Sequence, residues 1–181
     1  GIDSEVHRAT VAGRARTWAV LGSGLARLYP PENRSLAEAI RESGGCLLSE
    51  YPLHAAPLPE NFPWRNRIIS GLSWGTVVIE GGLRSGSLVT ARLALTQGRE
   101  VFAVPGPVDS PLSEAPHLLI KEGAKLVRGL ADVIEELPPG ARPEVRDEST
   151  SLIVESAKNT TGLSLEAGKI LQFLGSDTLA L

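Results

Sequence analysis

The chain has 181 residues, of which 42% are hydrophobic and 22% charged, a balance that allows a sizeable buried core and excludes disorder throughout. Its lone cysteine, Cys46, excludes internal disulfides and four-cysteine metal sites, so we expect a reducing cytoplasm, and no apolar run approaches the roughly 20 residues that span a bilayer. The net charge is −3, yet residues 61–99 hold five arginines against one glutamate and carry +4, which indicates an anionic partner.

Short β-branched or apolar runs alternate with longer stretches of helical period along residues 1–137. Strands are predicted at 17–21, 45–49, 76–80, 100–104 and 125–127. Helices are predicted at 35–42, 65–72, 87–97, 117–122 and 131–137. This alternation is typical of parallel βαβ units, and strands that are apolar on both faces require helices on each side. We therefore expect a Rossmann-like three-layer α/β/α domain with a mostly parallel sheet.

Residues 138–150 begin with two prolines and a glycine and have the composition of a linker. The segment that follows, 151–181, contains one convincing helical pattern at 164–174. About 30 residues are too few for an independent core. We therefore expect this segment to be a docked appendage or part of a second, small helical domain.

The turn Gly22-Ser23-Gly24 directly follows the first predicted strand, where open α/β sheets bind ligands and glycines let backbone amides approach a phosphate. The dinucleotide fingerprint requires a third glycine where Arg27 stands, and Tyr29-Pro30-Pro31 interrupts the helix that should follow. Glu50 ends the next strand, at the place of a ribose-binding acid, so a nicotinamide dinucleotide stays a weaker alternative. The favoured interpretation is a turn that serves another ligand or only reverses the chain.

A second glycine- and serine-rich loop opens the helix predicted at 87–97. Gly81, Gly82 and Gly86 free its backbone, and either Ser85 or Ser87 can cap the helix, whose N-terminal amides then face an approaching anion. The neighbouring Arg84, and Thr90 one turn into the helix, favour anion binding over a capped helix without a ligand. The loop is not a Walker motif, because the Gly-Lys-Ser/Thr ending is absent.

The run Arg65-Asn66-Arg67 lies close behind Phe62 and Trp64. On a helix, positions i and i+2 point about 200° apart, so we expect one arginine to pin the helix to the fold while the other meets the ligand. Phe62 precedes Pro63 and is predicted in extended chain, where its ring can stack on a base. The alternative is a buried aromatic beside two solvated arginines.

Catalytic and metal-binding patterns are weak in this chain. The three histidines, His7, His54 and His117, have no regular spacing, and no serine stands in a nucleophile elbow. We therefore expect no metal, no cofactor and no catalysis.

Several blocks, in order from residue 1 to about 127, resemble the DNA-processing protein A family, called DprA or Smf. The family consists of bacterial single-stranded-DNA binders that load the recombinase RecA. The matching blocks are Gly1-Ile2-Asp3 with His7, 19–22 through Tyr29-Pro30 and Asn33, 49–52, Asn61-Phe62-Pro63 into 65–73, 85–87 with Thr90-Ala91, 98–106, and Leu119-Ile120 into Gly123-Ala124.

The resemblance implies a Rossmann-like core over 1–137 that binds single-stranded DNA in a basic pocket, dimerises and serves natural transformation. It assigns base stacking to Phe62, phosphate binding or pocket structure to Arg65 and Arg67, and backbone hydrogen bonds to the loop 85–87. It also implies a winged-helix-like domain beginning in 151–181, and a first strand with a phosphate-binding Gly-Ser-Arg turn before Gly1. The expected DNA-binding residues are Gly22, Ser23, Gly24, Asn61, Phe62, Arg65, Asn66, Arg67, Arg84, Ser85, Gly86, Ser87 and Thr90.

The alternative from another class is a nucleotide-cleaving phosphoribohydrolase similar to the "lonely guy" family, which has a related fold. Its motif, Pro-Gly-Gly-x-Gly-Thr-x-x-Glu, ends in an active-site glutamate. The corresponding segment here begins Glu80-Gly81-Gly82 and lacks the proline, the Gly-Thr pair and the final acid. The binding function is therefore favoured over the enzyme.

Overall fold

In a computed structural model, which describes residues 1–142, parallel strands alternate with helices. The strands are β1 Trp18–Val20, β2 Cys46–Leu48, β3 Gly75–Val78, β4 Glu100–Ala103 and β5 Lys125–Leu126. The helices are α1 Ile2–Ala12, α2 Arg34–Glu42, α3 Asn61–Leu72, α4 Gly86–Thr96, α5 Glu114–Lys121 and α6 Leu130–Glu136. The predicted α/β class with parallel strands and helices on both sides is confirmed, and each strand lies within its predicted range or one residue beyond it.

The parallel strands form two ladders. β1 pairs with β2, with Trp18 opposite Cys46, and the second ladder has the order β3-β4-β5. Within residues 1–142 no strand pairs with both β1 and β3. The chain instead crosses from β2 to β3 through α3, so this helix and its contacts connect the two ladders.

Strand β4 shows why its sequence is apolar without interruption. Val101 and Ala103 belong to a core formed with α4 and α5, whereas Phe102 belongs to a second core with Val133 of α6 and Leu137. Successive side chains of a strand point to opposite faces, so each face of this ladder needs its own apolar residues. The three-layer arrangement follows from this double burial.

Two helices begin three or four residues earlier than predicted, and each has proline as its third residue. α3 begins at Asn61 with Pro63 in its first turn, and α5 begins at Glu114 with Pro116 in the same place. Proline is tolerated in the first turn because an N–H there would have no helical partner. The prediction that Phe62 lies in extended chain is therefore wrong, since the residue belongs to the first turn of α3.

The first residues of the predicted linker are attached to the core. Residues 139–141 form a short 3₁₀ turn, and Arg142 donates hydrogen bonds to the carbonyls of Leu137 and Glu135, both over 2.8 Å. The rest of the linker predicted over 138–150, and the winged-helix-like segment predicted over 151–181, lie outside the described residues. Of the helices that the structure describes, none is long and apolar enough to span a bilayer.

Candidate anion-binding site

Two regions follow the carboxyl ends of strands and begin neighbouring helices. We call the loop 22–29 with Asn61, Phe62 and Arg65 the α3 cluster, and residues 80–87 the serine loop. Asn61 binds the loop after β1, whereas the serine loop leads from β3 into α4. Further along, the Gln97 amide donates to the carbonyl of Arg67 over 2.9 Å, and the Ser70 hydroxyl donates to the Gln97 side-chain oxygen over 2.6 Å. The two helices thus run side by side from strand carboxyl ends, where helix N-termini attract anions.

Arg65 attaches α3 to the first ladder. One of its guanidinium nitrogens donates to the carbonyl of Val20, and its Nε donates to the Asn66 side-chain oxygen over 3.1 Å. Burial lowers the pKa of the Arg65 guanidinium, against the attraction of Asp3 and Tyr51. Asn66 is itself buried. Arg65 therefore has a structural role, because its hydrogen bonds hold α3 against β1.

Arg67 points elsewhere and lies on the surface. It forms an ion pair with Glu50, which follows β2, and both side chains are more than a third exposed. Such a pair contributes only about 0–1 kcal/mol to stability. The two arginines thus diverge as helix geometry predicts, and Arg67 is the exposed one of the two.

Phe62 is held by three neighbours. Its ring lies against Gly22, where a Cβ would come within 3.0 Å of a ring carbon. The guanidinium carbon of Arg65 lies 5.7 Å from the ring centroid, and the Tyr29 ring meets Phe62 edge to face with centroids 5.9 Å apart. The Asn61 amide also donates to the Gly22 carbonyl over 2.9 Å. The contacts of Asn61 and Phe62 therefore fix the start of α3 against the loop after β1.

Ser23 and Gly24 are engaged inside the fold. The Ser23 side chain is 2% exposed, and its hydroxyl donates to the carbonyl of Arg27 over 2.8 Å. The Gly24 amide donates to the carbonyl of Ala55 over 3.0 Å, and a Cβ at this position would collide with the carbonyl of Pro52. These two predicted site residues pack the loop 22–29 against the loop that follows β2.

The serine loop is organised by hydroxyl groups. Ser85 caps α4 by accepting from the Leu88 amide over 3.4 Å, so the cap is Ser85 and not Ser87. The two serine hydroxyls lie 2.8 Å apart, and Ser87 donates to the carbonyl of Glu80 over 3.2 Å. Gly81 lies directly beneath them, where a side chain would collide with both hydroxyls. Within α4, Thr90 donates back to the carbonyl of Gly86 over 3.0 Å.

The basic segment 61–99 does not form one patch. Arg99 donates to the carbonyl of Gly71 over 2.8 Å, at the far end of α3, and its guanidinium carbon lies 6.0 Å from the Trp74 ring centroid. Arg84 and Arg92 are exposed and form no ion pair within residues 1–142. Arg84 therefore gives the serine loop an exposed charge, and Gly86 beside it has open space around its Cα.

Two contributors were absent from the residues expected to bind DNA. Tyr29 and Glu50 lie in blocks that resemble the family but are given no contact with DNA, yet Tyr29 contacts Phe62 and Glu50 pairs with Arg67. An aromatic shortly after the Gly22-Ser23-Gly24 turn was the available signal for Tyr29. Nothing in the sequence pairs Glu50 with Arg67, because they are 17 positions apart.

The structure offers little for metal binding or catalysis among residues 1–142. No group of three or more His, Cys, Asp or Glu residues there is placed to hold a metal ion. His7 contacts the Thr17 hydroxyl over 2.8 Å. The final acid of the "lonely guy" motif would fall on Leu88, a residue of α4 whose side chain is buried in the hydrophobic core. This replacement counts against the enzyme alternative.

Residues 1–138 match the family model for DNA recombination-mediator protein A. Among curated relatives, Protein Smf of Escherichia coli is 54% identical over 140 residues, covering 77% of this chain and 37% of the relative. DNA processing protein DprA of Bacillus subtilis is 47% identical over 138 residues, covering 76% of this chain and 46% of the relative. The chain thus spans less than half the length of these relatives.

Two solved structures are similar to this chain. DNA processing protein A from Streptococcus pneumoniae, an X-ray structure, has a TM-score of 0.67 and 44% identity over 73% of this chain and 46% of that one. The protein of the same name from Helicobacter pylori has a TM-score of 0.59 and 27% identity over 66% of this chain and 54% of that one. The Helicobacter pylori structure is described as giving insight into the unique single-stranded DNA binding mode of that protein.

Proposed function

The chain belongs to the DNA recombination-mediator protein A family, and we propose that it binds single-stranded DNA along the α3 cluster, Arg67 and the serine loop. The Helicobacter relative, described for its binding of single-stranded DNA, supports the choice of ligand. The two loop regions support the choice of surface, since both begin helices at strand carboxyl ends.

The observation that carries the proposal is the presence of exposed cations on neighbouring elements, Arg84 beside the N-terminus of α4 and Arg67 in the middle of α3. Arg84 lies exposed in the serine loop before α4, and Arg67 lies exposed on α3 with only a surface ion pair to release. Most of the affinity of such a site comes from phosphate neutralisation, which releases counterions and makes binding depend on salt. The amides at the start of α4 add hydrogen bonds to phosphate without a further charge, whereas the amides of Asn61 and Phe62 in α3 already donate to the carbonyls of Leu58 and Pro59.

The aromatic residues of the α3 cluster account for a preference for unpaired strands. Tyr29 and Phe62 contact one another beside Gly22. A duplex hides the faces of its bases, whereas a single strand offers them for stacking, worth about 1–3 kcal/mol per base. Stacking therefore makes the proposed site selective for single strands over duplexes. Its charge makes it selective for anionic over neutral ligands.

The test is a fluorescence-anisotropy titration of the chain with a labelled oligothymidine and with a duplex of equal length, at several salt concentrations. We expect tighter binding of the single strand, with Arg67→Ala and Arg84→Ala each reducing the slope of log K against log salt by about 0.7. Arg128→Ala is the matched control for Arg67→Ala, because Arg128 is also an exposed, ion-paired arginine. Equal affinity for both DNA forms contradicts the proposal.

We further propose that the whole protein loads the RecA recombinase onto single-stranded DNA in natural transformation, as a cytoplasmic homodimer without catalytic activity. The names of the relatives, which refer to DNA processing and recombination mediation, support this role. RecA ATPase activity on oligonucleotides coated with single-strand-binding protein should start earlier when the full-length protein is added, and light scattering should give twice the monomer mass. Release of free base from a nucleoside monophosphate would instead favour the phosphoribohydrolase.

A further inference from the structure

Helix α4 continues directly from the serine loop and has one stripe of side chains in solvent. Its buried residues, which pack in the core, are Leu88, Ala91 and Ala94. Gln97, just after the helix, contacts α3. Residues three and four positions apart share a helix face. A separate stripe, which we call the α4 stripe, consists of three exposed residues, Val89, Arg92 and Thr96.

The α4 stripe carries a cation on a surface that is poor in acids. Arg92 is exposed and forms no ion pair within residues 1–142. α3 and α4 pack side by side, and neither helix contains an aspartate or a glutamate. The exposed charges that these two helices contribute are Arg67 and Arg92. Cations without acids among them attract an anionic partner.

Arg92 is in line with the serine loop. Ser85, the cap of α4, precedes Arg92 by seven residues, which is two helical turns and about 10 Å along the helix axis. Residues seven apart lie on the same helix face. Arg84, directly before the cap, is also exposed and forms no ion pair within residues 1–142. A strand that leaves the serine loop along α4 therefore passes from Arg84 over Val89 to Arg92.

We propose that Arg92 binds a phosphate of single-stranded DNA beyond the serine loop, so that the α4 stripe lengthens the binding path along the helix. This inference rests on the proposed function, in which the strand contacts the serine loop. The ligand at the stripe is the phosphate backbone, because contacts to phosphate do not depend on the base. The stripe thus adds affinity for long strands without adding sequence preference.

The test compares two labelled oligothymidines of about 6 and about 16 nucleotides, near the two ends of the usual range of site sizes. Arg92→Gln should reduce the slope of log K against log salt by about 0.7 for the long strand and raise its Kd about fivefold at about 0.1 M salt. Both quantities should stay unchanged for the short strand, which the α3 cluster and the serine loop hold. Arg92→Lys, which keeps the charge, should bind both strands within about twofold of the unsubstituted chain.

Arg41→Gln is the matched control, because Arg41 is an exposed arginine of α2, a helix that packs against α1, and is outside the ion pairs of residues 1–142. It should bind both strands like the unsubstituted chain. Unchanged binding of the long strand by Arg92→Gln overturns the proposal and leaves the α4 stripe to a protein partner. An equal loss on both strands, or the same loss in Arg41→Gln, also overturns it. An unsubstituted chain that binds neither strand refutes the proposed function itself.

Discussion

The α3 cluster and the serine loop both follow the carboxyl end of a strand, yet they are built in different ways. In the α3 cluster Arg65 donates to Val20 of β1, while Asn61 and Phe62 contact Gly22 and Tyr29 of the loop after β1. The serine loop is held by two hydroxyls around one glycine, with its arginine left exposed. Charge alone therefore does not locate a binding surface, because some cations, such as Arg65, form hydrogen bonds that stabilise the fold.

The largest effect should come from exchanging one glycine in each region for alanine. Gly24→Ala places a Cβ against the carbonyls of Pro52 and Leu53, so we expect a loss of about 3 kcal/mol of unfolding free energy. Gly86→Ala meets nothing within 4 Å and should be neutral or stabilise by about 0.5 kcal/mol. Urea denaturation measures both, and equal losses would show that the two regions are equally constrained.

The two arginines of α3 give the next largest difference. Arg65→Ala leaves the carbonyl of Val20 without its charged donor, so about 2 kcal/mol of stability should be lost. Arg67→Ala removes a surface ion pair and should cost no more than about 0.5 kcal/mol. Urea midpoints of the two variants, measured at one pH, show which arginine contributes more to stability. Similar midpoints would mean that Arg65 contributes no more to the fold than Arg67 does.

A smaller effect is expected from Glu50→Gln. The substitution removes the charge that Arg67 pairs with and frees the guanidinium for phosphate, so affinity for oligothymidine should rise about two- to fivefold. Glu42→Gln is the control, since Glu42 is an exposed glutamate at the end of α2 outside the ion pairs of residues 1–142. If both variants gain equally, the increase reflects net charge and not the release of Arg67.

The smallest effect concerns pH. Burial lowers the pKa of His7 below its ordinary 6.5; Asp3 opposes the shift, and Arg65 adds to it. Protonation is thus disfavoured in the folded state, so stability is complete above pH 6.5 and declines as the pH falls through that value. The urea midpoint of the unsubstituted chain should be lower at pH 5.5 than at pH 7.5. In His7→Gln the difference between the two midpoints should be smaller. An equal fall in both would exclude His7 as the source.

The strands could be predicted well because each is a short β-branched or apolar run between turn residues, as 76–80 illustrates. Helix starts were less accurate. Pro63 and Pro116 are signals against a helix interior but are tolerated in the first turn, so the sequence does not show that α3 begins at Asn61 and α5 at Glu114.

The candidate site could be predicted only in part. Residue types predict an anionic partner, which stays a prediction, and helix geometry predicts the divergence of Arg65 and Arg67 that the structure has. Which arginine serves the fold depends on Val20 and Glu50, residues far away in sequence that only the fold brings near. The contact between Tyr29 and Phe62 is likewise not evident from the sequence, because only the fold brings these two rings together.

The hydrogen bond from Arg65 to Val20 also bears on self-association. In the first ladder the carbonyl of Thr17 and the amide of Leu21 face β2, so by alternation the carbonyl of Val20 points to the opposite edge of β1. An open strand edge is a template on which a second chain can add and aggregate. The Arg65 guanidinium donates to that carbonyl and so occupies one pairing position with a charge. Arg65 therefore opposes the addition of another strand at this edge of β1.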